Sequence, residues 1–312
     1  MTPLIALTGA TGFIGQHLMR ELPKRGYRIR ALLRRPTERP IHAASAVIGD
    51  IVRPQNMAAA LEGVDAVIHS AGIAHEMSGA PGDDYRVLNT EATINLARSA
   101  HRAGVRRFVF LSSIRAQTGP AAGGVLTEAD AAKPTNAYGA SKLAAEEGLA
   151  QLDVDWVALR PVLVYGPGMK GNMAEMLRLA LSPYPLPLGG LRAKRSLLSL
   201  DNLVAAVDAV LAASEPLRRP FVLADREALT VGEMVAAMRR GLGRGPGIFP
   251  VPTAVLRAVC QATGRMAIFT RLASPLVVDP AALMRLGWSP TVATPEGLER
   301  LARDLANGST EA

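Results

Sequence analysis

Short apolar runs closed by glycine or charge alternate with longer stretches whose apolar residues recur every three or four positions, from residue 4 to about residue 165. Leu4 to Leu7, Arg28 to Leu33 (RIRALL), Ala46 to Ile48, Asp65 to His69 (DAVIH), Arg107 to Leu111 (RFVFL) and Trp156 to Arg160 read as strands. Phe13 to Leu22, Met57 to Leu61, Asp84 to Arg102 and Asn136 to Leu149 read as helices. Strands separated by helical patterns imply βαβ units, hence an α/β fold with a doubly wound parallel sheet covered on both faces. After residue 165 the rhythm changes. Ser196 to Leu200 and Phe221 to Ala224 read as short strands, Asp201 as the N-cap of a helix from Leu203 to Ala213, and Thr230 as the N-cap of VGEMVAAMRRGL.

The first strand runs straight into a glycine turn, TGATGFIG, with Gly9, Gly12 and Gly15 three apart. A strand that turns on glycines into a helix presents free backbone N–H groups and the positive end of the helix dipole, which suits a pyrophosphate. Gly9, Thr11, Gly12, Phe13, Ile14 and Gly15 are therefore expected to form a nucleotide-binding turn of the Rossmann type. At the end of the second strand stands Arg34, where dinucleotide folds meet the adenosine ribose. An acidic residue there holds a 2′-hydroxyl and an arginine accommodates a 2′-phosphate, so the cofactor is NAD or NADP, with NADP favoured. Asp50, followed by Ile51, stands where a carboxylate can reach the adenine amino group. Ser70, Ala71 and Gly72 are small residues that let backbone pass close to a cofactor. His69, at the strand end just before them, reads as structural.

Residues 1–165 are thus expected to form the dinucleotide-binding domain. Residues 166–312 are expected to be mainly a smaller substrate-binding cap, with about 196–224 returning to the main domain. Hydrophobic residues make up 49% and charged residues 20% of the 312, as in a compact fold rather than a disordered chain. No apolar run approaches the roughly eighteen residues that span a bilayer, and the N-terminus has no signal-peptide pattern. The single cysteine excludes an internal disulfide and suits a cytoplasmic location. The net charge is +8, but the charged residues form no long basic run and there are few aromatics for stacking bases, which reads as a generally basic solvated surface rather than a nucleic-acid site; an anionic substrate needs only a few local arginines.

The chemistry lies where the fifth strand ends and the next helix begins. Tyr138 and Lys142 are four apart, so phenol and ammonium share one helix face. A free phenol has a pKa near 10, and an adjacent cation favours its ionised form. Ser113 can hydrogen-bond a substrate oxygen and fix it against the tyrosine hydroxyl, while a nicotinamide cofactor carries the hydride.

Taken together, TGATGFIG, GDI at Gly49, VIHSAG at Val67, LNTEATINL at Leu88, LSS at Leu111, YGASK at Tyr138 and RPVLVYGPG at Arg160 resemble the extended short-chain dehydrogenase/reductase family of nucleotide-sugar epimerases and dehydratases. The resemblance implies catalytic roles for Ser113, Tyr138 and Lys142, with the last two also holding the nicotinamide ribose. It makes Asn89 the family's structural asparagine and places Pro161 and Leu163 on the strand that closes on the nicotinamide. Through GN at Gly171 and RSLLSLDN at Arg195, it makes Asn172, Arg195 and also Arg271 contacts to the nucleotide diphosphate of a UDP-sugar. The whole pattern is similar to bacterial 4-epimerases and 4-ketoreductases of UDP-N-acetylhexosamines used in surface polysaccharide synthesis. Family members commonly dimerise through helices such as 84–102 and 136–149. The dehydratases carry Asp-Glu after their catalytic hydroxyl residue; here Ile114 and Arg115 stand there, which disfavours dehydration. Two readings stay open beside this one: reduction of a non-sugar carbonyl, and a non-catalytic NAD(P)-binding regulatory or assembly subunit.

Overall fold

Seven strands form one sheet in which every neighbouring pair is parallel. Its order is Arg219–Leu223, Trp156–Pro161, β5 (Arg107–Leu111), β4 (Ala66–His69), β1 (Leu4–Thr8), β2 (Arg28–Leu33) and β3 (Ala44–Val47). The computed structural model describes residues 2–36, 43–73, 82–169 and 171–308. β1, β4, β5 and Trp156–Pro161 are buried at every position, which is why the sequence shows them as largely apolar runs, with Thr8, His69, Arg107 and Arg160 at or near their ends. Within β1, Ile5 and Leu7 enter one core while Leu4 and Ala6 enter the other, following the strand's period of two. The helices Phe13–Glu21 and Leu200–Ala212 close the first face; Met57–Leu61, Ala92–Arg102 and Ala137–Ala150 close the second.

β3 begins two residues earlier than the apolar pattern suggests. It is a mostly exposed edge strand, and its position is set by pairing with β2 from Arg30 opposite Ala44 to Leu33 opposite Val47. β4 begins one residue later than expected; Asp65, just ahead of it, donates its N–H to Leu4 O at 2.8 Å while its carboxylate accepts from Leu4 N at 2.7 Å. The strand expected at Phe221–Ala224 extends the main sheet beside Trp156–Pro161. A short strand, Leu197–Ser199, pairs instead with Leu163–Tyr165. A separate apolar cluster joins Tyr165, Met173, Leu177, Val235, Met238, Leu298 and Leu301 from the later part of the chain.

Asp201 is not the N-cap of the following helix. The helix starts at Leu200, because its apolar stripe already begins there, and Ser199 caps it by accepting from Asn202 N at 3.1 Å. Asp201, in the first turn, binds His17 and Arg300. Thr230 does cap its helix, in a reciprocal capping box with Glu233.

Asp225, one residue beyond the edge strand, ties these parts together. Its buried carboxylate accepts from Ser199 N (3.0 Å), Asn202 Nδ2 (2.7 Å) and Tyr165 OH (3.0 Å). Burial pushes this carboxyl up to about 6, against those three hydrogen bonds, which favour the ionised form. Between the ordinary carboxyl value of 3.8 and about 6, the native state retains a proton that the unfolded chain has released. Stability contributed by this group is therefore present at low pH and lost as pH rises through that window. Asp225→Asn should remove the loss. In urea unfolding, wild type should weaken relative to the variant by about 2–3 kcal/mol between pH 4 and pH 7.

Candidate active site

In an open parallel sheet the ligand crevice lies at the carboxyl ends of the strands, where neighbouring connections leave in opposite directions. Here that point is between β1 and β4, with β2 on the far side of β1. After Thr8 the chain turns at Gly9, whose φ of +70° suits glycine, and Gly12 N donates to Gly9 O at 2.9 Å. A Cβ on Gly9 would stand 2.7 Å from Ala71 N, and one on Gly15 only 2.0 Å from Gly9 O. Both contacts are with backbone, so neither glycine can take a side chain while the turn lies this close to the β4 segment. The helix Phe13–Glu21 opens without a side-chain cap and without an acidic residue in its first turn. Its N–H groups are thus offered to an anion, and the turn fits a dinucleotide diphosphate.

A hydrogen-bond chain fixes the floor of this crevice. Thr93 Oγ1 donates to Asn89 O at 2.7 Å and so accepts from His69 Nε2 at 3.0 Å. Thr8 Oγ1 accepts from Ala71 N at 3.2 Å and donates to His69 Nδ1 at 2.7 Å. The network therefore selects the neutral Nε2–H tautomer of His69. Burial, aided by the Lys142 charge, pushes this imidazole down to about 3. His69 is a structural strut between two strands and a helix.

Asn89 lies in a π-helical turn, Arg86–Glu91, ahead of the helix Ala92–Arg102. Such turns place side chains off the regular helical register. Fully buried, Asn89 accepts from Ile73 N (2.9 Å) and donates to Ile73 O (3.2 Å) and Ser141 Oγ (3.1 Å). It ties the segment after Gly72 to the helix Ala137–Ala150, while Ser141 Oγ donates to Tyr138 O at 2.8 Å. A Cβ on Gly72 would stand 2.7 Å from Asn89 Oδ1 and 3.5 Å from Lys142 Nζ.

Asn136 caps that helix by accepting from Gly139 N at 2.8 Å, and the helix brings Tyr138 and Lys142 to the ends of β4 and β5. Ser113, just past β5, is hydrogen-bonded to the Tyr138 hydroxyl. The Ser113 oxygen also accepts from Arg115 N at 3.1 Å. The Tyr85 ring stands edge-on to Tyr138, centroids 6.2 Å apart. Burial raises the Tyr138 phenol above its ordinary value; the Ser113 bond and the Arg115 charge oppose that rise, and Tyr85 adds to it. The lowering expected from Lys142 is therefore supplied by Ser113 and Arg115. Lys142 sends its ammonium to Leu111 O at 2.9 Å, 4.5 Å from the centre of the Phe110 ring. Burial pushes it down to about 8, against the Glu146 charge.

Ser112 lies between β5 and Ser113. It is buried and donates to Glu146, which in turn accepts from Arg160 Nε at 3.1 Å on both oxygens. Arg160 Nη1 reaches Gln117 Oε1 at 3.0 Å. This buried pair went unmarked in the sequence reading, although Glu146 stands one helical turn after Lys142.

Among the remaining candidates, Arg34 is exposed at the end of β2, and exposed Asp50 closes a local turn by accepting from Val52 N at 3.0 Å. Ile51 packs against the second core. Pro161 ends the buried strand beside β5, and Leu163 is partly exposed two residues on. Arg271 donates to Asn172 Oδ1 at 2.8 Å, bringing those two together. Arg195 donates to Ser274 O at 2.6 Å and to Pro120 O at 3.4 Å; burial lowers its pKa, and the like charge of nearby Arg115 adds to that lowering. Arg115 was missed as a site residue; its place two after Ser113 is the signal that marks it. Among the described residues there is no cluster of metal-ligating side chains.

The model of the NAD dependent epimerase/dehydratase family matches residues 5–224, which include the glycine turn, Ser113, Tyr138 and Lys142. The chain belongs to that family. As a family member it is an enzyme of the extended short-chain dehydrogenase type. This epimerase-family protein is 32% identical to a UDP-glucose 4-epimerase of Vibrio cholerae, over 97% of this chain and 95% of that one. It is 34% identical to a 3 beta-hydroxysteroid dehydrogenase/Delta 5-->4-isomerase of Mycobacterium tuberculosis, over 64% of this chain and 56% of that one. Its fold matches the solved structure of MoeE5 in complex with UDP-glucose and NAD with a TM-score of 0.74 and 26% identity, covering 98% of this chain and 99% of that chain.

Proposed function

We propose that the protein is an NAD-dependent 4-epimerase of a UDP-hexose, with Ser113, Tyr138 and Lys142 as its catalytic residues. The observation that carries this reading is the Ser113–Tyr138 hydrogen bond, held beside Lys142 at the mouth of the β1–β4 crevice. NAD, when bound, would take the C4 hydride and give it back to the opposite face of the keto sugar, and would add a positive charge to the site. Tyr138 takes the proton of the sugar's C4 hydroxyl and returns it after the sugar has presented its other face. Ser113 holds the same oxygen, and Lys142 holds the nicotinamide ribose. Gly9 to Gly15 receive the diphosphate, Asp50 the adenine, and Pro161 and Leu163 border the nicotinamide. Arg195, with Asn172 and Arg271, takes the UDP diphosphate. Residues 1–165 carry the cofactor and most of 166–312 the substrate.

The Vibrio relative supports epimerisation over net reduction, and NAD in the MoeE5 complex supports NAD, although exposed Arg34 suits NADP. Elimination of water has no support, since Ile114 is buried in the core and Arg115 is a cation. The resemblance to enzymes of UDP-N-acetylhexosamines supports a role in surface polysaccharide synthesis.

The test is interconversion of UDP-glucose and UDP-galactose, and of their N-acetyl forms, by protein loaded with NAD. No interconversion, with NADPH consumed on a UDP-4-keto sugar, would make the enzyme a reductase. The steroid-dehydrogenase relative supports a second reading, oxidation or reduction of a non-sugar carbonyl compound. Arg195→Ala separates the two. Losing a charged hydrogen bond of about 1.5–3 kcal/mol should raise KM for the UDP-sugar about 10- to 100-fold while NAD affinity stays level. An unchanged KM would favour the second reading.

A further inference from the structure

Two runs of the chain hold no acidic residue at all: 176–200 and 234–278. They carry ten basic residues, Arg178, Arg192, Lys194, Arg195, Arg239, Arg240, Arg244, Arg257, Arg265 and Arg271. Of the chain's 35 basic residues the other 25, and all 27 acidic ones, lie elsewhere, so these runs supply the whole positive excess. The fold brings the two runs together. Leu186 N donates to Gly247 O at 2.8 Å, Phe249 N to Leu186 O at 3.1 Å, and Thr253 Oγ1 to Gly190 O at 3.0 Å. Buried Arg239 bonds carbonyls on both, Ser182 O and Tyr184 O on one and Pro246 O and Gly247 O on the other.

This basic face is also apolar. The helices Thr253–Ala262 and Met266–Ala273 contain no fully buried residue. Leu256, Phe269 and Leu272 rest on the cap core, whereas Val255 (49% exposed), Val259 (54%), Ile268 (49%) and Phe249 (43%) stand in solvent. Val255 and Val259, four apart, share a helix face. Arg244, Arg257 and Arg265 are exposed among them; the nearest acids in the chain, Glu233 and Asp279, lie outside the run, and Glu299 faces Arg240.

We propose that this face is an interfacial membrane anchor. The helices Thr253–Ala262 and Met266–Ala273 lie on an anionic bilayer, Val255, Val259, Ile268 and Phe249 entering the headgroup–acyl boundary and Arg257 and Arg265 meeting lipid phosphates. Aliphatic side chains between arginines are what such a surface takes, with binding that grows with both apolar area and basic charge. They do not suit nucleic acid, whose phosphates would use the arginines but leave Val255, Val259 and Ile268 in water. A second copy fits poorly, since a two-fold interface would set this acid-free face against itself, arginine to arginine.

The test is flotation of the full chain with phosphatidylcholine vesicles, with and without about 30% phosphatidylglycerol, at about 0.15 M salt. Binding is expected on the anionic vesicles only, and Val255→Ser with Val259→Ser, or Arg257→Glu with Arg265→Glu, should weaken it about tenfold or more. Both variants should keep the wild-type Tm and NAD affinity. Three results would overturn the proposal: no binding to anionic vesicles; binding that the serine variant leaves unchanged; or a wild-type dimer in solution that the serine variant dissociates.

Discussion

Tyr138→Phe should lower kcat for 4-epimerisation by about 10³-fold, within the 10²- to 10⁴-fold range of a positioned acid–base group, with NAD affinity near wild type. The substitution removes one oxygen, and the ring keeps its edge-on contact with Tyr85. The size of the effect follows from the local electrostatics. Burial disfavours the phenolate, and the site opposes this with the Ser113 hydrogen bond and the Arg115 charge. Ser113→Ala should therefore lower kcat and also shift the pH at which activity rises upward, because one group favouring the ionised phenol is lost. Steady-state rates between pH 6 and 10, with NAD binding followed separately, check both. A Tyr138→Phe enzyme that retained more than about a tenth of wild-type kcat would remove Tyr138 from the chemistry.

The parts of this site that are local in sequence were legible there. β1, β4 and β5 show as apolar runs because both faces of the sheet are covered, and the glycine turn shows because backbone packing admits no side chain at Gly9 or Gly15. Tyr138 and Lys142 show because one helix face carries both. β3 was misplaced because an exposed edge strand has little apolar signal, its position being fixed by its partner. Asp201 was misread as a cap because Asp and Ser are nearly equal in that role, and the apolar stripe had already begun at Leu200. The chain from Thr8 through His69 to Thr93 joins residues 61 and 24 positions apart, so no window of sequence contains it. Arg115 carries no sequence signal of its own beyond its place two after Ser113 and the missing Asp-Glu pair of a dehydratase, because its action on Tyr138 depends on how the loop after β5 folds back.

The other large effect is on Glu146, which joins the catalytic helix to two strands. Glu146→Ala leaves the buried Arg160 guanidinium without its carboxylate and Ser112 without its acceptor. Removing one partner of such a pair typically lowers stability by about 3–5 kcal/mol, because the remaining charge is left uncompensated in the core. At about 2–4 °C per kcal/mol for a chain of this size, Tm should fall by about 10 °C in thermal unfolding. Position makes the change felt at the site as well. Ser112 adjoins Ser113 at the end of β5, and the Glu146 charge raises the Lys142 ammonium that burial pushes down to about 8. Glu146→Gln keeps an acceptor for Ser112 and loses only the charge, so it should unfold at a higher temperature than the alanine variant. Lys142 in it should lose its proton at lower pH, moving the alkaline limb of kcat downward. The double change Glu146→Leu with Arg160→Met separates the roles, since an apolar pair can restore stability to a core that has lost both charges. Recovery of Tm without recovery of kcat would assign the pair to positioning Ser113 and Lys142. Recovery of both would leave Glu146 and Arg160 as packing alone.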